Sequence, residues 1–111
     1  MDNHYTVEQI MPQVPKSFLY VDYNELVDNC SILLSQADTK NDYHGNPVAL
    51  YEGLEVVGYQ EDEDMQGIRD DIIMEGICIP NNLGYASHVK WLLKANEKGV
   101  RYMSDIMAQG W

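Results

Sequence analysis

Positive charge is scarce in this chain, and no long apolar run is present. Seven Lys and Arg residues stand against 18 Asp and Glu residues, which gives a formal net charge of −11 at pH 7. Proteins bind nucleic acid largely through Lys and Arg contacts to phosphate, so this balance disfavours direct binding of DNA or RNA. No segment approaches the roughly 18 apolar residues that a membrane-spanning helix needs.

Cysteine is also scarce. Cys30 and Cys78 are too few for a disulfide-stapled scaffold, and their apolar neighbours predict reduced thiols in the core. Residues 1–5 are polar and acidic, unlike the basic opening and apolar stretch of a signal peptide. We therefore expect a cytoplasmic protein, and a length of 111 residues predicts one globular domain over 1–111.

The usual motifs of catalysis are absent as well. The sequence contains no Gly-rich phosphate loop, no G-x-S-x-G and no H-E-x-x-H. Its three histidines are scattered, and neither cysteine has a neighbouring histidine that would activate it. We expect no catalytic residue, no cofactor and no enzymatic activity.

One acidic stretch resembles the start of a calcium-binding loop. Asp62, Asp64 and Gly67 occupy the first, third and sixth positions of an EF-hand loop. The twelfth position is Ile73, where a bidentate Glu is required, and Gln66 replaces the usual Asp or Asn at the fifth. The stretch therefore predicts no metal site.

Apolar residues recur at helical spacing along much of the chain. The clearest segment is 86–98, where Val89, Leu92 and Leu93 share one helical face and Lys90, Lys94 and Lys98 the other. Similar spacing occurs in the segments 24–37, 46–58, 62–75 and 102–107. These patterns predict a mainly α fold, a small bundle of about five helices, with at most a short strand near residues 17–22.

Segment 46–59 admits a second interpretation. Asn46-Pro47 is typical of a helix start, and Gly53 weakens a helix there. The alternative is an α+β fold with a hairpin at 48–59, in which 48–51 and 54–59 pair around a turn at Glu52-Gly53.

The acidic residues are unevenly distributed. Nine of the 18 lie between Glu52 and Glu75, where Arg69 is the only base. Such density destabilises a compact state by self-repulsion, which indicates a binding role. On the predicted helix, Glu63, Asp70 and Asp71 share an outer face.

Tyrosine is abundant where phenylalanine is rare. Eight Tyr stand against one Phe, and Tyr is enriched at protein interfaces because it combines an apolar body with a polar tip. Several tyrosines lie near acids in the sequence, and Tyr59 is our candidate anchor for a partner.

These features together predict a small acidic inhibitor that occupies a basic, nucleic-acid-binding surface of a partner protein by mimicking nucleic acid. The composition resembles that of phage-encoded anti-defence proteins, such as inhibitors of CRISPR effectors and nucleases, although no motif aligns. The expected contact residues are Glu61, Asp62, Glu63, Asp64, Asp70, Asp71 and Tyr59. Two alternatives stay open: a helix-turn-helix-like DNA-binding regulator that uses a Lys90–Arg101 stripe, and an accessory or assembly protein whose acidity serves solubility.

Overall fold

The computed structural model describes residues 4–28 and 30–111, and its centre is a five-stranded sheet. The strands are Ser17–Tyr20 (β1), Ser31–Ser35 (β2), Thr39–Asn41 (β3), Pro47–Ala49 (β4), Glu55–Gln60 (β5), Ile72–Pro80 (β6) and Trp91–Tyr102 (β7). The α-helix Met103–Gln109 (α1) follows β7, and 3-10 helices lie at Val7–Gln9, Met11–Gln13 and Tyr23–Glu25.

The strand order in the sheet is β1-β5-β6-β7-β2. Strand β1 runs parallel to β5, whereas the β5–β6, β6–β7 and β7–β2 pairs are antiparallel. Strands β3 and β4 form a separate two-stranded hairpin. The long β5–β6–β7 meander therefore supplies the middle of the sheet.

Both faces of the sheet are covered by apolar side chains. Val56 and Met74 belong to one core cluster, and Val57 and Ile73 belong to another. Because successive residues of a strand point to opposite faces, the two clusters lie on opposite sides of the sheet. Residues of the N-terminal 3-10 helices and of α1 complete the second cluster, which contains Val7, Ile10, Val14, Phe18, Val57, Ile73, Met103 and Ile106.

A backbone contact between β6 and β7 requires glycine at position 76. A Cβ atom built on Gly76 would lie 1.9 Å from the carbonyl oxygen of Lys94. The register steps from Met74↔Val100 to Gly76↔Ala95, so residues 96–99 of β7 bulge out opposite the single residue Glu75. Bulges of this kind bend a strand and redirect its side chains.

The prediction of a mainly helical bundle is wrong. The chain is 45% strand and 15% helix. Segment 24–37 contains β2, 62–75 contains the start of β6, and 86–98 contains most of β7. The predicted strand near 17–22 and the last helix do have counterparts, in β1 and α1.

The misleading patterns have a physical origin. A sheet buried on both faces produces continuous apolar runs in place of strict alternation, as in Ile72-Ile73-Met74. The lysine spacing of four residues in 86–98 is also ambiguous, since four is a multiple of the strand period of two. A stripe at that spacing is compatible with either structure.

The alternative hairpin at 48–59 is also not formed. Both halves contain strands, β4 and β5, but β4 pairs with β3, while β5 pairs with β1 and β6. Gly53 lies in the connection with φ +91°.

The structure bears on two expectations from composition, the burial of the cysteines and the lack of a membrane-spanning helix. Cys78 is buried, whereas the prediction of a core position for Cys30 is wrong because that thiol is exposed. Across 4–28 and 30–111, no helix is long and apolar enough to cross a membrane. Residues 1–3, which belong to the segment that we compared with a signal peptide, lie outside the described residues.

We predict that Gly76→Ala lowers the free energy of unfolding by more than about 3 kcal/mol, because the new methyl group meets the Lys94 carbonyl. The matched control is Gly53→Ala, whose Cβ would enter open space but at a positive φ; its expected cost is roughly 1–2 kcal/mol. Urea unfolding measures both. Equal losses of unfolding free energy in the two variants would contradict the close contact between Gly76 and the Lys94 carbonyl.

Candidate functional site

Residues 61–68, which we call the acidic arm, extend the β5–β6 pair as a hydrogen-bonded hairpin. The Asp70 amide donates to the Asp62 carbonyl at 2.9 Å, and the Asp64 amide donates to the Ile68 carbonyl at 2.9 Å. The Asp64 side chain accepts hydrogen bonds from the Gln66 and Ile68 amides at 2.8 and 3.0 Å. The end of the arm is therefore a hydrogen-bonded turn, and no helix begins at these acids.

The arm presents its carboxylates to solvent. Glu61, Glu63 and Asp64 are exposed, Asp62 is half-buried, and Met65 is fully exposed at the end of the arm. Within the described chain, only Glu61 among these four acids contacts a base, with 3.6 Å between its Oε1 and Nη2 of Arg69. Asp62, Glu63 and Asp64 thus have no basic partner among residues 4–28 and 30–111.

Asp71 has a different environment, because it is fully buried. Its Oδ2 accepts hydrogen bonds from the Val7 amide at 3.0 Å and from Nη2 of Arg69 at 2.9 Å, and its Oδ1 accepts from Nε and Nη2 of the same arginine. A buried carboxylate needs such compensation. Asp71 is a structural group, and its side chain is not available to a partner.

Asp70 is also committed within the fold. Its Oδ1 accepts from the Ser104 amide at 2.8 Å and its Oδ2 accepts from the Ser104 hydroxyl at 2.6 Å. These contacts satisfy a free amide in the first turn of α1, where a carboxylate is favoured by the helix dipole. The outer helical face predicted for Glu63, Asp70 and Asp71 does not exist, since this segment contains no helix.

Glu75 completes the buried part of the acidic segment. Its carboxylate accepts from Nζ of Lys16 at 2.6 Å and from Nδ2 of Asn96 at 2.8 Å. Burial opposes its ionisation, but these hydrogen bonds outweigh burial and hold the pKa of Glu75 below its usual value. Asn96 belongs to the bulge of β7, so the bulge provides a donor for this acid.

Three aromatic side chains, Tyr20, Tyr43 and Tyr59, form a tyrosine cluster beside the arm. The Tyr59 ring makes edge contacts with both others, at centroid distances of 6.0 Å to Tyr20 and 5.6 Å to Tyr43. Strand alternation places Tyr59 and Glu61 on one side of the chain. Burial and the negative charge of Glu61 raise the pKa of Tyr59.

Tyr43 brings a further carboxylate to the cluster. Its hydroxyl donates a short hydrogen bond to Glu8, which raises the pKa of Tyr43 to about 12. The structure thus places Tyr59 near Glu61 and adds Tyr20, Tyr43 and Glu8 to this group. Tyrosines near acids in the sequence were a partial signal for this group, but the position of Glu8 depends on tertiary structure.

The Lys90–Arg101 stripe is not a recognition helix. Lys90 forms an ion pair with Asp38 at 2.8 Å, and Lys98 donates to the Trp111 carbonyl at 2.8 Å. Arg101 donates to the same carbonyl and lies 4.9 Å from the centre of the Trp111 ring. The helical basis of the DNA-binding alternative is therefore wrong.

The described residues include no group of three or more His, Cys, Asp or Glu side chains placed to hold a metal ion. Asp64, the third position of the calcium-like loop, instead binds backbone amides. Comparisons with protein-family models, with curated proteins and with solved structures found no match to this chain.

We predict that Asp71→Asn lowers the free energy of unfolding by about 3 kcal/mol, because it removes the charge that compensates Arg69 in a buried pair. The control is Asp62→Asn in the acidic arm, which should change stability by less than about 0.5 kcal/mol. Urea unfolding compares the two. Similar small effects would show that Asp71 is not a structural ion pair.

A second prediction concerns Glu75 and pH. A carboxyl group with a lowered folded pKa stabilises the protein above its unfolded pKa, and that contribution is lost as pH falls through the folded value. We expect Glu75→Gln to be less stable than wild type near neutral pH, and the two stabilities to converge only once the pH falls below the lowered folded pKa of Glu75. Urea unfolding across this range tests it, with exposed Glu52→Gln as the control. Parallel curves for wild type and Glu75→Gln would contradict the assignment.

Proposed function

We propose that this protein is a small cytoplasmic binding protein, not an enzyme, that occupies the basic, nucleic-acid-binding surface of a partner protein. The acidic arm provides the carboxylates, and the tyrosine cluster provides adjoining apolar contact. Occupancy of the partner's Lys and Arg side chains would exclude nucleic acid. Inhibition of a nuclease or a CRISPR effector is the anti-defence role that such blocking would serve.

The observation that carries this proposal is the division of the acidic segment into two groups. Asp70, Asp71 and Glu75 are neutralised or hydrogen-bonded inside the fold. The four consecutive acids Glu61–Asp64 remain on a hydrogen-bonded hairpin, and only Glu61 contacts a base within the described chain. Asp64 also accepts hydrogen bonds from two backbone amides of its own turn, so the charge that the described residues leave uncompensated is concentrated at Asp62 and Glu63, which favours a function outside the fold.

The tyrosine cluster supports protein binding over a purely solubilising role. Tyr20 is 47% exposed and contacts Tyr59, which is half-buried. Tyrosines with part of the ring accessible are common in the energetically important centres of interfaces. Their cation–π attraction to Lys and Arg would add to the charge of the neighbouring carboxylates.

The test is capture of a partner and competition with nucleic acid. We expect the immobilised protein to retain a nucleic-acid-binding protein from a nuclease-treated bacterial lysate, and duplex DNA or RNA to displace that protein. Retention should weaken as salt rises, because exposed charges are screened. Retention that survives high salt and excess nucleic acid would contradict the proposal.

A charge-matched pair of variants tests the arm itself. Replacing Glu61–Asp64 with Gln or Asn at each position should slow association with the captured partner by at least about tenfold. The control neutralises four exposed acids elsewhere, Glu52, Glu55, Glu97 and Asp105, and changes the net charge equally. Equal effects of the two variants would assign the binding to overall charge and not to the arm.

A further inference from the structure

The connection between β6 and β7, residues 81–90, borders an open cleft of about 580 Å³ that the proposed function does not use. This volume lies within the range of about 300–1,000 Å³ found for small-molecule sites. Tyr85 and Trp91 contribute aromatic walls, and Asn81, Ser87 and Lys90 contribute polar groups.

The side chain of Asn81 forms several hydrogen bonds within the connection. Nδ2 of Asn81 lies within hydrogen-bond distance of the carbonyls of Tyr85, Ala86 and Val89, at 3.3, 3.1 and 2.9 Å. Its Oδ1 accepts from the Leu83 amide at 2.9 Å. The cleft is therefore bordered by a pre-formed loop, which lowers the entropic cost of binding a ligand.

Ala86 is strained within this loop. Its φ of 53° makes it the only non-glycine residue with positive φ in the described chain. The conformation directs its carbonyl to the Val89 amide at 2.9 Å, and the same oxygen accepts from Asn81. Backbone strain of this kind is concentrated at ligand-binding and functional sites.

The two aromatic side chains differ in packing and in exposure. Trp91 packs against the first core cluster, and its Nε1 donates to Oδ1 of Asp38 at 3.0 Å. Tyr85 is 58% exposed next to the strained Ala86. Trp91 is therefore anchored in the fold, whereas most of Tyr85 is accessible to a ligand.

The charges around the cleft disfavour an anionic ligand. The ammonium group of Lys90 is paired with Asp38 at 2.8 Å, so an anion would have to compete with that carboxylate. The net charge of −11 repels anions further. Ser87 makes no side-chain hydrogen bond to any described residue, and Tyr85 is 58% exposed. These two residues offer hydroxyl groups to a neutral ligand.

We propose that this cleft binds a neutral saccharide. A sugar ring offers apolar C–H faces that stack on the aromatic rings of Trp91 and Tyr85, and hydroxyls that both donate to and accept from Ser87, Tyr85 and exposed carbonyls of the loop. It needs no charged partner. The cleft contains no residue of the acidic arm. This proposal is therefore independent of the function proposed above.

The test follows the two tryptophan indole N–H signals by NMR during titration with maltose, cellobiose and N,N′-diacetylchitobiose. Trp111→Phe assigns the signals. We expect at least one saccharide to shift the Trp91 signal in a saturable way and to leave Trp111 unchanged. Tyr85→Ala should weaken this binding by about tenfold. Tyr51→Ala is the matched control, because Tyr51 is 57% exposed and lies outside the cleft.

Three outcomes would overturn the proposal. The first is no saturable shift of Trp91 with any saccharide. The second is a shift that only a proline-rich peptide or a nucleotide produces, which would assign the cleft to another ligand class. The third is an equal loss of binding in Tyr85→Ala and Tyr51→Ala, which would separate the shift from the cleft.

Discussion

Asp71 contacts three parts of the structure through its buried carboxylate and its backbone. Its side chain binds Arg69 and the Val7 amide, while its backbone amide donates to the Tyr5 carbonyl and its carbonyl accepts from the Met103 amide. The N-terminal segment, the start of β6 and the start of α1 therefore meet at one residue. These same elements cover the second core cluster. An unpaired charge at Asp71 would be costly, so Asp71 fixes the position of Arg69. The Nη2 atom of Arg69 in turn lies near Glu61.

This arrangement explains how a chain with so few bases tolerates so many acids. Arg69 and Lys16 are placed where carboxylates are buried, at Asp71 and Glu75. Hydrogen bonds from Ser104 and Asn96 provide further compensation. In the acidic arm, Glu61 contacts Arg69 and Asp64 accepts two backbone amides, whereas Asp62 and Glu63 have no such contact with the described residues. The distribution of bases inside the fold thus distinguishes structural acids from acids that are available for binding, a distinction that net charge alone does not reveal.

The sequence allowed part of this structure to be predicted. Ser17–Tyr20 is rich in aromatic and apolar residues and forms a strand, and the apolar spacing near the C-terminal end corresponds to α1. The central strands were misassigned because burial on both faces removes the alternation that identifies a strand. The acids Glu61–Asp64 and Tyr59 do lie in one region, whereas the burial of Asp71 depends on a contact with Val7, 64 positions away in the sequence. Local patterns carry no information about such contacts.

In the function that we propose, the acidic arm and the tyrosine cluster together form the surface that contacts a nucleic-acid-binding protein. Hydrogen–deuterium exchange of the protein, alone and in complex with its captured partner, measures this surface most directly. We expect slower exchange on binding to be concentrated in the acidic arm, residues 61–68, and in the backbone next to Tyr20 and Tyr43. Slower exchange confined to β7 or to the connection 81–90, with the arm unchanged, would contradict it.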